Sequence, residues 1–275
     1  MFYAKYTGMP KPLVAPFVYT FQIATISGAL AIVSSLREIQ LQHPELLACV
    51  TAIKSAQIQR FRFSYKDVLL HAHMGPAAGF FLSELYGIRD FSERDHQFER
   101  VVPTLQRLFP QSVVNLAFTL AHLHAISEQL DHAMASIFLS LSPSDSSLEA
   151  ALHHYVEIWR AVGNPMARSE QLILVQRLGD ELAKLIQKPG LRTMLKLMRT
   201  PAQAAGLQQL QTFLERGFDT FSALQRSPNG VSDFLFTIHQ RETQWITRLF
   251  DTQVTSYENV QCWPELESFQ TNWRH

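Results

Sequence analysis

The sequence predicts an all-α fold, a single multi-helix bundle of about eight to ten helices with mostly antiparallel neighbours, and three observations carry that expectation. Apolar residues recur at spacings of three and four along nearly the whole chain and alternate by two almost nowhere, which is the period of helices. Proline and glycine punctuate the pattern at intervals long enough for helices. The connections they mark are short, and short loops make successive helices antiparallel neighbours.

Residues 1–43 form an apolar N-terminal segment with no charge between Lys11 and Arg37. Thr20, Gln22, Thr25, Ser27, Ser34 and Ser35 dilute the run, so its length and polarity predict a packed helix. The alternative is a membrane-associated or exported segment over residues 13–35. The bundle proper is expected over 44–252. Pro44 suits the first turn of a helix running to about Leu70, because proline's missing donor costs nothing there. Pro76 opens a short helix, Ala77 to Tyr86, that is expected to stop on a left-handed Gly87. Ser92 and Asp95 have the spacing of a capping box for the next helix, which Pro103 is expected to bend or break.

The longest helix runs from Ser112 to Leu141. After the loop 142–147, the one internal boundary that the sequence offers, Ser146 and Glu149 are expected to cap a helix ending near Gly163. Further helices are expected near 167–187, 191–199, 202–225 and 232–251, with an irregular tail over 253–275. No segment repeats at a fixed period, which argues against a solenoid.

Composition narrows the function classes. The 275 residues are 47% hydrophobic and 17% charged, far from the disordered corner of low hydrophobicity and high charge. Lys plus Arg and Asp plus Glu stand at 24 each, so no global field gathers nucleic acid or an acidic membrane face, and neither partner is expected. Cys49 and Cys262 lie far apart and outside any CxxC pairing, which gives no disulfide framework and predicts a reducing, cytoplasmic setting. No nucleotide loop, nucleophile elbow, zinc-finger spacing or HExxH motif appears.

The stretch Ala77-Ala-Gly-Phe-Phe-Leu-Ser-Glu-Leu-Tyr-Gly-Ile-Arg-Asp-Phe-Ser-Glu-Arg-Asp95, followed by Arg100-Val-Val-Pro and Leu108-Phe-Pro, resembles an uncharacterised family of helical bacterial proteins. Leu123-His-Ala-Ile-Ser-Glu-Gln-Leu-Asp131, Tyr155-Val-Glu-Ile-Trp-Arg-Ala-Val-Gly163 and Met198-Arg-Thr-Pro-Ala-Gln-Ala-Ala-Gly206 fit it in the same order. The resemblance spans Gln57 to Phe250 and implies an all-helical fold of bacterial origin. It carries no catalytic residues over.

One constellation stands out. His124, Glu128 and Asp131 sit at i, i+4 and i+7 on the long helix, beside Leu116, Leu120, Leu123, Leu130 and Met134, so they share a face that is expected to turn inward. Carboxylates and neutral imidazole are ligands for zinc, manganese or iron, and His154 with Glu157 and His239 with Glu242 are the donors that facing helices offer. The order departs from the Glu-x-x-His of di-iron bundles. The competing expectation is a core network in which His124 and Glu128 or Asp131 satisfy one another, as buried polar groups must be satisfied.

Lesser features have structural explanations. His71 and His73 read as a solvated pair, Phe80, Phe81, Tyr86, Phe91 and Phe98 as core, and Arg89-Asp90 and Arg94-Asp95 as local ion pairs. Arg192, Lys196 and Arg199 read as a solvated face. Ala202, Ala204, Ala205 and Gly206, ahead of Leu207, Leu210, Leu214 and Phe218, suit core packing first and a homodimer face second. The expected function is therefore non-catalytic interaction or regulation through a protein partner or self-association, with no cofactor. The alternative is an enzyme or sensor binding iron, manganese, zinc or haem through the His/Glu/Asp cluster.

Overall fold

The computed structural model describes residues 23–251. Over them the chain is all-α, without a strand, in thirteen α-helices and one π-helical turn: α1 (Ile26–Gln42), α2 (Pro44–Ser64), α3 (Lys66–Leu70), α4 (Gly75–Phe80), the π turn (Phe81–Leu85), α5 (Ser92–Leu108), α6 (Gln111–Leu141), α7 (Leu148–His153), α8 (Tyr155–Val162), α9 (Pro165–Ile186), α10 (Leu191–Leu197), α11 (Arg199–Ala204), α12 (Gln208–Gln225) and α13 (Gly230–Phe250). The apolar stretch before residue 23 and the tail from 252, Cys262 included, lie outside the described residues.

The long helix is the axis. At 31 residues α6 spans about 46 Å, and α1, α2, α5, α8 and α9 all pack against it. The described part of the N-terminal segment packs on this axis: Thr25 caps α1 by accepting from the Gly28 N–H at 3.0 Å, and Ile26, Ala29, Leu30 and Val33 bury themselves against Ala121 and Ala125 of α6. Two larger cores flank the axis. Leu46, Ile53, Phe138, Tyr155, Ile158 and Trp245 fill one, under α2, α8 and α13. Leu123, Leu130, Leu174, Phe221 and Phe234 fill the other, under α9, α12 and α13. Each such side chain contributes about 1.5–3 kcal/mol by leaving water.

Several local expectations are corrected by tertiary contacts. The helix from Pro44 ends at Ser64 and resumes as α3, because Tyr65 at the joint turns its ring inward and hydrogen-bonds Glu242 of α13 at 2.8 Å. Gly87 is not left-handed; it is needed because a Cβ there would come within 2.7 Å of the Ser83 carbonyl. Ser92 is the first residue of α5 and not its cap, and Asp90 accepts from the Ser92 N–H at 2.8 Å instead. Pro103 stays inside an unbroken α5. Ser147, one residue beyond the expected Ser146, caps α7 by accepting from the Ala150 N–H. The segment 202–225 is divided into α11 and α12 by Gly206, whose φ is +68°.

Candidate functional site

The polar stripe on α6 does turn inward. His124, Glu128 and Asp131 do not satisfy one another, however, because His124 reaches α5 and each carboxylate reaches its own partner on α2. His124 Nε2 lies 3.1 Å from Asp95 Oδ2 on α5, and the same carboxylate accepts from Arg37 of α1 at 2.9 Å and from Arg94 at 3.3 Å. Glu128 accepts from Lys54 of α2 at 2.5 Å. Asp131 accepts from Gln57, one turn further along α2, at 2.6 Å.

The electrostatics of these carboxylates diverge. Burial works against ionisation of Asp95, but the hydrogen bond and charge of His124, with Arg94 and Arg37, outweigh it and hold the carboxyl well below the usual carboxylate range. Burial likewise opposes charge on Glu128, and Lys54 with His124 overcomes it. Asp131 goes the other way: burial, with the neighbouring Glu128 adding to it, pushes its carboxyl up to about 6 against the pull of Lys54, Arg168 and Gln57. Lys54, buried between two carboxylates, holds its proton more tightly than an ordinary lysine because Glu128 and Asp131 outweigh its desolvation.

The remaining candidates are scattered. His154 sits at the joint between α7 and α8 and pairs with Glu157 one turn on, at 3.1 Å, on the surface. His239 is exposed on α13. Glu242 turns inward and takes both terminal nitrogens of Arg60 at 2.9 Å. Among the described residues, no three His, Cys, Asp or Glu side chains come together where they would hold a metal ion.

Two cavities flank this seam. The larger, about 260 Å³, lies between α5, α6, α9 and α10–α12, and its wall is apolar but for a short polar end that includes Arg94, Asp95 and His124. The smaller, about 70 Å³, is walled by α2, α8, α9 and α13 and carries Gln57, Arg60, Trp159, Arg168, Gln171 and Glu242. Phe81 and Tyr86 line both. The π turn that positions them is a geometry found frequently at functional sites.

A family model for a domain of unknown function, DUF8198, matches residues 36–256, from within α1 to beyond α13. The chain belongs to the DUF8198 family. That agrees with the resemblance to an uncharacterised family. No curated protein and no solved structure matches the chain.

The polar seam lies within the DUF8198 domain, as do both cavities except for a Leu30 contact in the larger one. The outer wall of the larger cavity, α10, contains no buried residue although Leu191, Met194 and Leu195 face the cavity. Gly190 and Gly206, at φ +82° and +68°, bracket α10 and α11 with backbone angles that glycine adopts most cheaply. On the outside, Arg192 pairs with Asp219 at 2.6 Å and Arg199 with Glu215 at 2.7 Å, both across to α12. The expected Arg192/Lys196/Arg199 face is thus partly spent on clasps. Leu210 and Phe218 of α12 are buried and line the cavity, whereas Leu214 is partly exposed.

Sequence reading missed Asp95, assigned to a helix cap, and the whole of the α2 contribution. A signal was present: Lys54, Gln57 and Arg60 recur every three residues on a helix otherwise rich in apolar side chains, the same anomaly that drew attention to α6. Arg168, Trp159, Tyr86 and Gln171 carry no such pattern, and only packing brings them to one wall.

Proposed function

We propose that this DUF8198 protein is a non-catalytic regulatory protein that takes a neutral, apolar small molecule into the cavity of about 260 Å³. That cavity is the observation that carries the reading. Protein interiors are close-packed, and an apolar space of about 260 Å³ leaves the side chains that line it short of packing contacts, at a cost in stability. A ligand recovers that cost. The charged groups at the polar end, Arg94 and Asp95, already pair with each other and with Arg37 and His124, so a charged head group would find no counter-ion there. The groups with chemistry to offer elsewhere on α6 are spent on Lys54 and Gln57, which favours a structural use for them.

Entry is assigned to α10 and α11, the thinnest wall. A cytoplasmic setting fits the buried, unpaired Cys49, whose thiol burial and Glu45 push up to about 11. No helix among the described residues is long and apolar enough to cross a membrane. Self-association or a protein partner would read the bound state, and Met166 and Phe236, both exposed, offer apolar contacts for it.

The test is titration of the full chain with the neutral dye N-phenyl-1-naphthylamine, followed by displacement with decanol or decanoate. Saturable binding, displacement by decanol ahead of decanoate, and loss of binding in a folded Leu120→Trp variant are expected. Dye binding that survives Leu120→Trp unchanged, or displacement by decanoate ahead of decanol, would refute the assignment.

A further inference from the structure

The hydroxyl and amide groups in the wall of the larger cavity belong to three side chains, Tyr86, Ser127 and Gln211. Two of them have no hydrogen left for a ligand. Ser127 donates its hydroxyl to the Leu123 carbonyl at 2.8 Å, and Gln211 Nε2 donates to the Leu195 carbonyl at 2.6 Å and to Glu215 at 2.8 Å. Tyr86 differs.

Tyr86 is held in place from two directions. Its backbone N–H closes the π turn by donating to the Phe81 carbonyl at 3.1 Å, and its ring packs on Phe61 of α2 with centroids 5.1 Å apart. Its hydroxyl oxygen lies 3.1 Å from Gln171 Nε2, which also stands 2.7 Å from Ser127 Oγ. The direction of this network is set at its far end. Because Ser127 spends its own hydrogen on Leu123, its oxygen can only accept, so Gln171 offers its two amide hydrogens, one to each hydroxyl. Tyr86 is therefore an acceptor towards Gln171, and its phenolic hydrogen meets no acceptor among the described residues.

The carboxylates that act on this phenol through space are engaged with other donors, Glu242 with Arg60 and Tyr65, and Asp131 with Gln57. Burial, with the charges of Glu242 and Asp131, makes the phenol hold its proton more tightly than an ordinary tyrosine, so it stays a donor at neutral pH. A donor kept from water without an acceptor is costly. A carbonyl oxygen accepts such a hydrogen and brings none of its own to be satisfied, whereas an alcohol does.

We propose that the larger cavity takes a neutral carbonyl compound, a ketone or ester with a hydrocarbon body, whose carbonyl oxygen accepts the Tyr86 hydroxyl hydrogen while the body lies against the apolar wall. The assignment rests on that cavity being a ligand site, and adds the class of its ligand.

Displacement of N-phenyl-1-naphthylamine from the full chain by butyrophenone, butylbenzene and 1-phenyl-1-butanol tests it, in wild type and in Tyr86→Phe. Butyrophenone and butylbenzene differ by a carbonyl in place of a methylene, and dehydrating the ketone costs the same with either protein, so the change in their affinity ratio isolates the hydrogen bond. That ratio is expected to fall about fivefold in Tyr86→Phe, with dye and butylbenzene within about twofold of wild type. In wild type the ketone is expected to bind more tightly than the alcohol, and Leu120→Trp, which fills only the larger cavity, is expected to abolish ketone binding. Carbon-13 NMR of carbonyl-labelled butyrophenone supplies the test should Tyr86→Phe fail to fold: the resonance bound to wild type is expected downfield of its position in hexane. Wild type that fails to bind the dye saturably would remove the ligand site itself and this inference with it. Saturable dye binding with an unchanged ratio in folded Tyr86→Phe, a bound resonance at the hexane position, an alcohol tighter than the ketone, or ketone binding that survives Leu120→Trp would each overturn the carbonyl assignment alone.

Discussion

One helix, α6, has two very different sides. Towards α2 and α13 it is closed by buried polar pairs, Lys54 with Glu128 and Gln57 with Asp131, continued by Arg60 with Glu242 between α2 and α13, over a core in which Leu46, Ile53, Met134 and Phe138 have no exposed surface. Towards α5, α10 and α12 the same helix borders a cavity of about 260 Å³, closed on the outside by short helices held with surface ion pairs. On the polar side each charge is costly to bury alone and is held by its partner. The apolar side has no such pairs, and its helices leave space between their leucine and phenylalanine side chains. The buried polar pairs are concentrated on one side and the larger cavity lies on the other.

The sharpest way to break this contrast is to strand a charge on the closed side. Glu242→Ala leaves the Arg60 guanidinium buried without its carboxylate and is expected to cost about 3–5 kcal/mol in urea unfolding; a loss below about 1 kcal/mol would show the seam to be ornamental.

Next in size is Asp131→Asn, which keeps an acceptor for Gln57 and removes a charge whose carboxyl is pushed up to about 6 in the fold. A raised carboxyl binds its proton more tightly folded than unfolded, so the stability it contributes is present below the unfolded value of 3.8 and is lost as pH rises through about 6. The variant should therefore match wild type near pH 3.5 and exceed it above pH 7, by on the order of 3 kcal/mol, since a tenfold change in proton affinity is worth about 1.4 kcal/mol. Thermal midpoints with no dependence of the difference on pH would contradict the assignment.

A like-for-like pair compares the two sides directly. Leu130, fully buried, and Leu120, on the cavity wall, lie on the same helix. Leu130→Phe overpacks a closed core and should cost about 1–3 kcal/mol, whereas Leu120→Phe enters open space and should cost little or stabilise. Equal losses would mean that the cavity does not persist in solution.

The smallest effect on stability is expected at the clasps. Arg192→Ala with Arg199→Ala removes exposed pairs, leaves the thermal midpoint within error, and should speed both entry and release of the neutral dye in stopped-flow traces. Unchanged exchange rates would move the entry route away from α10 and α11.

Much of this was legible beforehand. The 3.6-residue period with Pro44 and Pro76 set out much of the helical order, and the inward turn of His124, Glu128 and Asp131 followed from their spacing beside Leu120, Leu123 and Leu130. Their partners were not legible. Asp95 had the spacing of a capping acid, and only the approach of α1 and α6 converts it into the acceptor for Arg37 and His124. Tyr65 lay inside an apparently continuous helix until its hydrogen bond to Glu242, distant in the chain, broke α2 from α3.

By itself the sequence determined that the chain is helical, where most helices begin and end, and which face of α6 carries polar groups, because period, proline and capping act within a few residues. Tertiary structure alone decided which groups pair and where space remains. Pairing joins side chains far apart in the chain, such as Arg60 and Glu242, and a cavity is what several helices together fail to fill; neither leaves a local trace in the order of residues.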